Sequence, residues 1–500
     1  MSLPREVWMA SLAGMLVAAA VGWWGLDGIP HVSDEIVYTL QSRLLADGMR
    51  VGPSIEDPTR HLYPFWNPVG GGHGVFPIGW PALLSVGERL SVPGLVNPLL
   101  FGLAPLLSFC IARRLTPDSA SLAAWMVALS PAMWLLAASR MAQTSVMVAL
   151  LAAAAVVVCR PERRLAWWGM GLAIGYVVLA RPYDAVLLGV PLLLLGLWRG
   201  GGAALVVLPG IAAGLVLLDN HQLTGSALTF PVGPWFDWWV ADEGRAPGCN
   251  RLGFGPDIGC INTLGSSGHT PAKALRIALD SAERLDAMLL GLPGGLLVLA
   301  PGLLALRRRA WPLLAPLGIV VAGYSLYWSP GIAYGARFWH AALPGLLILA
   351  AAGLHRYTGR LAWLVLLLPV VGLSRLAPEL SDYWCVDRTL SDQLDAAGVV
   401  EGIVFVRSEG RATRAWPAMG MDDFTCAEML ESGDAFHRID PTVAAGGVQV
   451  RIAMPSLAQT RDWLSEHHPD TQAFLAFQDL RTDLGWRLVR ITADDVETLP

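Results

Sequence analysis

Residues 7–38 read VWMASLAGMLVAAAVGWWGLDGIPHVSDEIVY, an apolar run that passes directly into a polar segment. A helix of about 20 apolar residues is long enough to cross the hydrocarbon core of a bilayer. Trp23 and Trp24 stand where a signal peptide would carry a small-residue cleavage site, and interfacial tryptophan suits a retained helix better. The stretch therefore predicts a first membrane-spanning helix followed at once by a polar loop.

The composition of the whole chain agrees with a membrane protein. Hydrophobic residues make up 54%, charged residues 15%, and the mean hydropathy is +0.49, so most of the chain is expected to lie in lipid. This excludes an ordinary soluble enzyme. The net charge of -5 argues against a nucleic-acid partner, because phosphate backbones are bound by basic surfaces.

Further apolar runs follow the first one. Together they predict a mainly α-helical, polytopic membrane bundle of about 11 transmembrane helices, accompanied by outer amphipathic helices. The predicted spans are residues 7–27, 94–112, 119–138, 141–159, 165–180, 183–198, 202–218, 284–305, 311–329, 336–354 and 361–376.

Arginine placement predicts the orientation of these spans. Groups of arginines fall at alternate helix ends, and the positive-inside rule assigns those ends to the cytoplasm. The groups are Arg5, Arg113 with Arg114, Arg160 with Arg163 and Arg164, Arg199, Arg307 to Arg309, and Arg356 with Arg360. We therefore expect a multi-pass protein of the cytoplasmic (inner) membrane with a cytoplasmic N-terminus. Residues 1–376 form the membrane domain, with outer loops 28–93 and 219–283, and residues 377–500 lie outside the cytoplasm.

The last 120 or so residues differ in character from the membrane domain. Compact or alternating apolar stretches at 403–406, 448–452 and 486–491 predict strands, and 388–397 and 456–467 predict helices. Residues 377–500 are therefore expected to form a small extracytoplasmic α/β domain.

Four of the six cysteines fall in the predicted outer segments, where an oxidising compartment allows disulfides. We expect Cys249 to pair with Cys260 and Cys385 with Cys426, while Cys110 and Cys159, inside predicted spans, stay free. A four-cysteine zinc site is the alternative, but it lacks paired CxxC spacing.

The polar segment after the first span carries two adjacent acids, Asp34 and Glu35. Pro30 ends the span, Ser33 is expected to cap a new helix, and Gly48 is expected to stop it. The apolar stripe of this helix predicts that it lies along the outer membrane interface. Acids in a first helical turn are also favoured by the helix dipole alone, so a purely structural role stays open.

Three short outer turns each carry one arginine, at positions where the positive-inside rule disfavours it: Arg140, Arg181 and Arg337. A phosphate at the interface would explain them, because guanidinium groups bind phosphate oxygens bidentately. The alternatives are ion pairs with outer acids, such as Arg181 with Asp184, or contacts with lipid head groups.

Taken together, these features resemble the GT-C superfamily of integral-membrane glycosyltransferases, and within it the protein O-mannosyltransferase and aminoarabinose transferase branch. The resemblance covers the order and topology of residues 1–376. It rests on Asp34-Glu35 with the amphipathic helix that follows, Phe76-Pro77-Ile78-Gly79-Trp80-Pro81, Ser139-Arg140, and Gly335-Ala336-Arg337-Phe338.

The resemblance implies transfer of a sugar from a polyprenyl-phosphate donor to a glycan, lipid or protein acceptor outside the cytoplasm, with no cofactor. Asp34 would be the catalytic base and Glu35 the second acid, and a carboxylate can take the proton from an attacking hydroxyl. Gln143 departs from the mannosyltransferase pattern, in which an acidic residue is expected a few positions after the arginine. The alternatives are a polymerase or ligase of lipid-linked glycans and a transporter or flippase of lipid-linked sugar.

Substrate contacts are expected from residues of the outer segments: Tyr38, His73, Trp235, Trp238 and Tyr334. The two tryptophans offer faces for stacking on a sugar, although interfacial anchoring is the simpler explanation for them. His73 and His269 have no partner at metal-ligand spacing, so we expect no metal site.

Overall fold

Helices account for most of the chain, as the apolar composition predicts. The computed structural model describes residues 3–52, 65–67, 72–159, 164–241, 248–259, 268–331, 333–380, 383, 386, 388–409, 413–416, 421–425, 448–452, 457–468, 470–479, 487–491 and 496–498. Two units can be distinguished. The first is formed mainly by Met1–Gly22 and Val75–Pro378, and the second by Trp23–Gly74, Glu379–Pro417 and Met421–Pro500.

The α-helices follow one another with short connections. In chain order they are α1 (Arg5–Ala20), α2 (Ser33–Ala46), α3 (Gly79–Arg89), α4 (Val96–Phe101), α5 (Leu103–Leu115), α6 (Ala120–Leu129), α7 (Pro131–Ala138), α8 (Gln143–Cys159), α9 (Arg164–Ala180), α10 (Pro182–Asp184), α11 (Val190–Trp198), α12 (Ala204–Thr224), α13 (Val232–Ala241), α14 (Pro271–Leu289), α15 (Leu299–Leu306), α16 (Trp311–Tyr324), α17 (Leu343–Thr358), α18 (Leu367–Leu376), α19 (Thr389–Ala396) and α20 (Leu457–His467). A 3₁₀ helix, Arg337–Ala342, leads directly into α17.

Several of these helices can cross a membrane. Among the described residues, Arg5–Gly25, Pro93–Leu115, Ala204–Thr224 and Arg337–Glu379 are long and apolar enough, and the bent pair α6 and α7 makes a fifth. Three further apolar helices are shorter: Gln143–Cys159, Arg164–Ala180 and Pro182–Trp198. The structure supports a bundle of several apolar helices, and the number 11 stays a prediction.

Proline explains part of this difference. The predicted span 119–138 is broken by Pro131, where the chain bends by 46° between α6 and α7. Proline has no amide donor and its ring clashes with the preceding helical turn, so a helix ends before it. A hydropathy pattern does not record such a break.

Small residues bring the helices of the first unit together. α15 and α17 pack where Gly302 meets Gly353, and a Cβ on either would collide with the facing backbone. Small residues at such contacts let helices approach closely, as is common in membrane bundles. Large apolar side chains on other faces are exposed, for example Leu172 at 65% and Leu304 at 67%, which suits contact with lipid chains.

The second unit contains α2 and the described elements of the C-terminal segment. The strands are β1 (Trp66–Asn67), β2 (His73–Gly74), β3 (Gly402–Glu409), β4 (Thr413–Trp416), β5 (Met421–Thr425), β6 (Val448–Ile452), β7 (Ala473–Asp479), β8 (Arg487–Ile491) and β9 (Val496–Thr498). Strand pairs β1 and β2, and β4 and β5, are antiparallel.

The five-stranded sheet has the order β6-β3-β7-β8-β9. β3 is parallel to both β6 and β7, whereas β8 and β9 add antiparallel strands. α20 covers this sheet through Trp463, whose ring meets that of Phe405 edge to face at 5.8 Å. The described strands β3, β6 and β8 and helices α19 and α20 overlap the apolar patterns at 403–406, 448–452, 486–491, 388–397 and 456–467, and an α/β domain over residues 377–500 stays a prediction.

Candidate functional site

The two adjacent acids at the start of α2 have different surroundings. Oε2 of Glu35 accepts hydrogen bonds from the backbone N–H groups of His31 and Val32, at 3.1 and 3.2 Å, and its side chain is 1% exposed. The prediction that Ser33 caps the helix is wrong, because this carboxylate reaches back to the entering chain instead. Asp34 is the one residue from His31 to Thr39 that is not buried. Of the pair, only Asp34 is partly accessible.

His31 anchors the chain just before α2. Its ring is fully buried, with Nδ1 2.7 Å from the carbonyl oxygen of Tyr383 and Nε2 3.0 Å from that of Leu26. A neutral imidazole donates to only one of these oxygens, and the imidazolium form donates to both. Together with Glu35, His31 fixes the first turn of α2, and therefore the position of Asp34, within the second unit.

Two of the expected substrate contacts belong to the same part of the second unit. Tyr38 lies one helical turn after Asp34 and is 3% exposed, and His73 on β2 is 4% exposed. β2 packs on α2, where Nε2 of Gln41 donates to the carbonyl oxygen of Gly74 at 3.2 Å. Both side chains therefore contribute to the interior around α2.

In the first unit, Arg140 lies in the turn between α7 and α8. Nε1 of Trp80 donates to the carbonyl oxygen of Arg140 at 2.8 Å. Nδ2 of Asn97 donates to the carbonyl oxygens of Ser139 and Met141, at 2.8 and 2.7 Å. Non-helical backbone inside an apolar bundle needs such internal partners. Trp80 and Asn97 thus hold the turn that presents Arg140, which is 8% exposed.

We expect Asn97→Leu to weaken folding and, where Arg140 binds a lipid phosphate as the sequence predicts, to weaken that binding as well. The substitution leaves two buried carbonyls without their donor, at a cost of about 1–3 kcal/mol each. Thermal unfolding in detergent and titration with undecaprenyl phosphate measure the two effects.

The matched control is Asn220→Leu. Asn220 is also buried, and its Nδ2 donates to the carbonyl oxygen of Ala227 at 3.2 Å, in a different turn. Asn220→Leu should lower the unfolding temperature without affecting phosphate binding. Equal binding losses in the two variants would contradict a specific role of Asn97 at Arg140.

Arg181 takes part in a three-residue network. Its Nε donates to Oδ2 of Asp184 in a close ion pair, and its Nη2 donates to the hydroxyl of Tyr324 at 2.8 Å. The hydroxyl of Tyr324 in turn donates to Oδ1 of Asp184 at 2.7 Å. The ion pair weighed from the sequence is therefore present, and Tyr324 on α16 extends it.

One aromatic ring joins Arg181 to Arg337. The guanidinium carbons of Arg337 and Arg181 lie 5.3 and 5.8 Å from the ring centroid of Phe338. Tyr324 stacks on the same ring at 4.4 Å with an interplanar angle of 5°. Two of the three arginines singled out from the sequence thus share a single cation–π partner.

Tyr334 holds an unusual backbone conformation beside this ring. Its φ is 57°, and the side chain is 2% exposed. A non-glycine residue with positive φ is uncommon and costs conformational energy, and such residues cluster at functional sites. Gly331 also has a positive φ, and a Cβ there would collide with the ring of Phe338. The absence of a side chain at Gly331 therefore leaves room for the ring of Phe338.

A small cavity that is open to one side adjoins this cluster. α14, α16 and the 3₁₀ helix Arg337–Ala342 form its walls, and apolar side chains such as Ile277 and Val321 line much of it. Its polar lining consists of Ser281, Tyr324, Ser325, Ser329 and Arg337. Sequence reasoning did not single out these hydroxyls, because single serines in apolar or amphipathic segments carry no distinctive spacing.

The aromatic residues of the second outer loop differ from one another in exposure. Trp235 is 3% exposed and packs edge to face with Phe236 at 4.9 Å, whereas Trp238 is 40% exposed. Phe236 contacts Trp328, whose Nε1 donates to Oδ1 of Asn250 at 3.3 Å. Trp235 is thus part of an interior contact between the loop and the end of α16, and Trp238 remains accessible.

The cysteines that the structure describes follow the predicted division. Cys249 is disulfide-bonded, while its predicted partner Cys260 and the predicted pair Cys385 and Cys426 lie outside the described residues. The cysteines of the predicted spans are free thiols, Cys110 and Cys159. Across the ranges that the structure describes, no three His, Cys, Asp or Glu side chains cluster as metal ligands would.

Comparisons with known proteins find distant structural neighbours. No family model and no curated protein matches the chain. The solved structures include ArnT from Cupriavidus metallidurans bound to undecaprenyl phosphate, 15% identical, covering 93% of this chain and 92% of that one, with a TM-score of 0.41. They also include the Archaeoglobus fulgidus oligosaccharyltransferase tethered to an acceptor peptide, 12% identical, covering 93% and 68%, with a TM-score of 0.38.

A further match is the same archaeal oligosaccharyltransferase, AglB, with an inhibitory peptide and a dolichol-phosphate. It is 13% identical, covers 92% of this chain and 58% of that one, and has a TM-score of 0.34.

Proposed function

We propose that the protein is a membrane glycosyltransferase of the GT-C type. It transfers a sugar from a polyprenyl-phosphate donor to an acceptor on the outer face of the cytoplasmic membrane, with Asp34 as general base. The acceptor is a glycan, lipid or protein, and the reaction uses no cofactor in this proposal.

The observation that carries the proposal is the pair of arginines on Phe338 beside an apolar cavity. Arg337 and the serine hydroxyls of the cavity offer donors, and Arg181 lies on the same ring while its Nε and Nη2 donate to Asp184 and Tyr324. Phosphate oxygens accept hydrogen bonds from both kinds of group, and arginine binds them bidentately. Arg140 is assigned to the same phosphate, because the 3₁₀ helix that begins at Arg337 packs on α7 and α8, which flank Arg140.

In the proposed reaction Asp34 acts on the acceptor, and the arginines act on the leaving phosphate. Asp34 takes the proton from the acceptor hydroxyl as its oxygen attacks the anomeric carbon. The bond between the anomeric carbon and the phosphate oxygen breaks, and the guanidinium groups stabilise the charge that develops on the leaving phosphate. Glu35 acts indirectly, by holding the turn of α2 that carries Asp34.

The same proposal includes the placement in the membrane. The predicted 11 spans, with the N-terminus in the cytoplasm, would put the start of α2 and the C-terminal α/β segment outside the cytoplasm. The spans that the described helices support, among them Arg5–Gly25 and Arg337–Glu379, are consistent with such a multi-pass protein. Tyr38, His73, Trp235, Trp238 and Tyr334 remain proposed substrate neighbours, of which Trp238 is the accessible one.

A deletion strain provides the direct test of function. Loss of the enzyme should raise the amount of one polyprenyl-phosphate sugar in the membrane, because its consumer is missing, and should remove one glycosylated product outside the cytoplasm. Mass spectrometry of extracted lipids measures the first effect. The purified protein in detergent is then mixed with the accumulated polyprenyl-phosphate sugar and with the unglycosylated acceptor from the deletion strain. This mixture should release polyprenyl phosphate.

The detergent assay also separates the alternatives. A flippase moves its lipid without breaking a bond, so it would release nothing in a system that has no two sides. A glycan polymerase or ligase would consume a lipid-linked oligosaccharide in place of a single-sugar lipid. An unchanged lipid profile together with no release of polyprenyl phosphate would reject the glycosyltransferase proposal.

A further inference from the structure

The first turn of α8 contains buried polar atoms that the protein itself does not satisfy. Gln143 is 4% exposed and Thr144 is fully buried. Among the described residues, neither Oε1 nor Nε2 of Gln143 has a hydrogen-bond partner, and neither does Oγ1 of Thr144. Native proteins rarely leave buried polar atoms in this state, because each loses its hydrogen bonds to water.

The next residue of the same turn shows that partners are available locally. Oγ of Ser145 donates to the carbonyl oxygen of Ala142 at 2.8 Å and accepts from the hydroxyl of Tyr176 at 2.7 Å. The unsatisfied atoms are therefore confined to Gln143 and Thr144 within this turn. Both follow directly after the turn that presents Arg140, and α8 packs against the 3₁₀ helix that begins at Arg337.

The chemistry of the amide limits what can satisfy it. Nε2 needs an acceptor and Oε1 needs a donor. An ionised phosphate offers only acceptors, so it would leave Oε1 facing a negative charge. A hydroxyl group both donates and accepts, and neighbouring hydroxyls on a sugar ring can satisfy both amide atoms and the hydroxyl of Thr144.

We infer that Gln143 and Thr144 bind hydroxyl groups of the donor sugar and determine which sugar is accepted. This rests on the proposed function, since it places the sugar next to the phosphate assigned to Arg140 and Arg337. The long side chain of Gln143 can rotate toward a ligand while α8 stays in place. A neutral amide in this turn suits a sugar hydroxyl, whereas the arginines serve the phosphate.

The test compares lipids with and without a sugar. Full-length protein in lipid nanodiscs is titrated with undecaprenyl phosphate and with undecaprenyl-phosphate glucose, mannose and 4-amino-4-deoxyarabinose. The wild type should bind at least one sugar lipid more tightly than the bare phosphate. Gln143→Met, which keeps the size of the side chain, should reduce that preference about tenfold and leave binding of undecaprenyl phosphate unchanged. Thr144→Val should act in the same direction.

Ser108→Ala is the matched control. Ser108 on α5 is also fully buried, and its Oγ has no partner among the described residues. Its loss should alter binding of neither kind of lipid. Gln143→Met should also unfold at the same or a higher temperature than the wild type without ligand, because removing an unsatisfied polar group costs nothing in the empty protein.

The remaining outcomes overturn the inference in distinguishable ways. If Gln143→Met lowers the unfolding temperature and leaves the sugar preference intact, a buried water satisfies the amide and no sugar does. Equal weakening of all four lipids would assign Gln143 to the phosphate. If the wild type binds none of the lipids, the proposed function fails, and the assignment of Gln143 fails with it.

Discussion

Asp34→Asn is expected to lower the transfer rate about 100-fold or more, while the protein still folds and binds its donor. The amide has the size of the carboxylate but cannot take a proton from the acceptor hydroxyl, and general bases contribute roughly 10²- to 10⁴-fold. Folding should survive because the hydrogen bonds of Glu35 and His31 that hold the start of α2 remain in place. Initial rates at saturating donor concentration measure the effect.

Glu35→Gln is the matched comparison for Asp34→Asn. It replaces a buried carboxylate that accepts hydrogen bonds from two backbone N–H groups. Its main effect should therefore be to lower the free energy of unfolding, by about 1–3 kcal/mol. Asp34→Asn should therefore lower mainly the transfer rate, whereas Glu35→Gln should lower mainly the unfolding temperature. A wild-type transfer rate in Asp34→Asn would reject the base assignment even if the protein proved to be a glycosyltransferase.

Arg337→Ala is expected to weaken binding of undecaprenyl phosphate by about 1.5–3 kcal/mol, or roughly 10- to 150-fold. Its guanidinium lines the cavity and lies over the ring of Phe338, so the substitution removes a charged donor from the proposed phosphate site. Arg337→Lys should recover only part of the affinity, because lysine keeps the charge but loses the planar, bidentate group. Titration in nanodiscs gives the dissociation constants.

Two comparisons sharpen this prediction. Arg308→Ala changes an exposed arginine of the predicted cytoplasmic side and should leave binding unchanged. Arg181→Ala is less informative, because it also breaks the ion pair with Asp184 and leaves that carboxylate with Tyr324 alone. If Arg337→Ala binds undecaprenyl phosphate as tightly as the wild type, Arg337 does not bind the phosphate and instead contacts lipid head groups.

The order of residues along the chain was sufficient for features that depend on local composition. Apolar runs predicted the helical bundle, and Gly48 marked the end of α2, which stops at Ala46 with Gly48 at a positive φ of 78°. The alternating stretches after residue 400 predicted the strands of the C-terminal segment. Arg140, Arg181 and Arg337 stood out by their positions alone, because arginine is unexpected in short outer turns. Each of these signals arises within a few residues, through propensity, hydropathy or charge.

Tertiary structure decided how those residues are used, because contacts between distant segments leave no trace in local composition. Asp34 and Glu35 are neighbours of the same type, yet only the folded chain turns one carboxylate onto the backbone of His31 and Val32 and leaves the other partly exposed. Arg181 and Arg337 are 156 positions apart and meet on one ring because α16 and the 3₁₀ helix pack together. Gln143 stands where the resemblance leads us to expect an acid, and only the folded chain shows that its amide is buried without a hydrogen-bond partner. Burial and hydrogen bonding are properties of the packed chain, so they determine the role of a side chain only once its distant neighbours are in place.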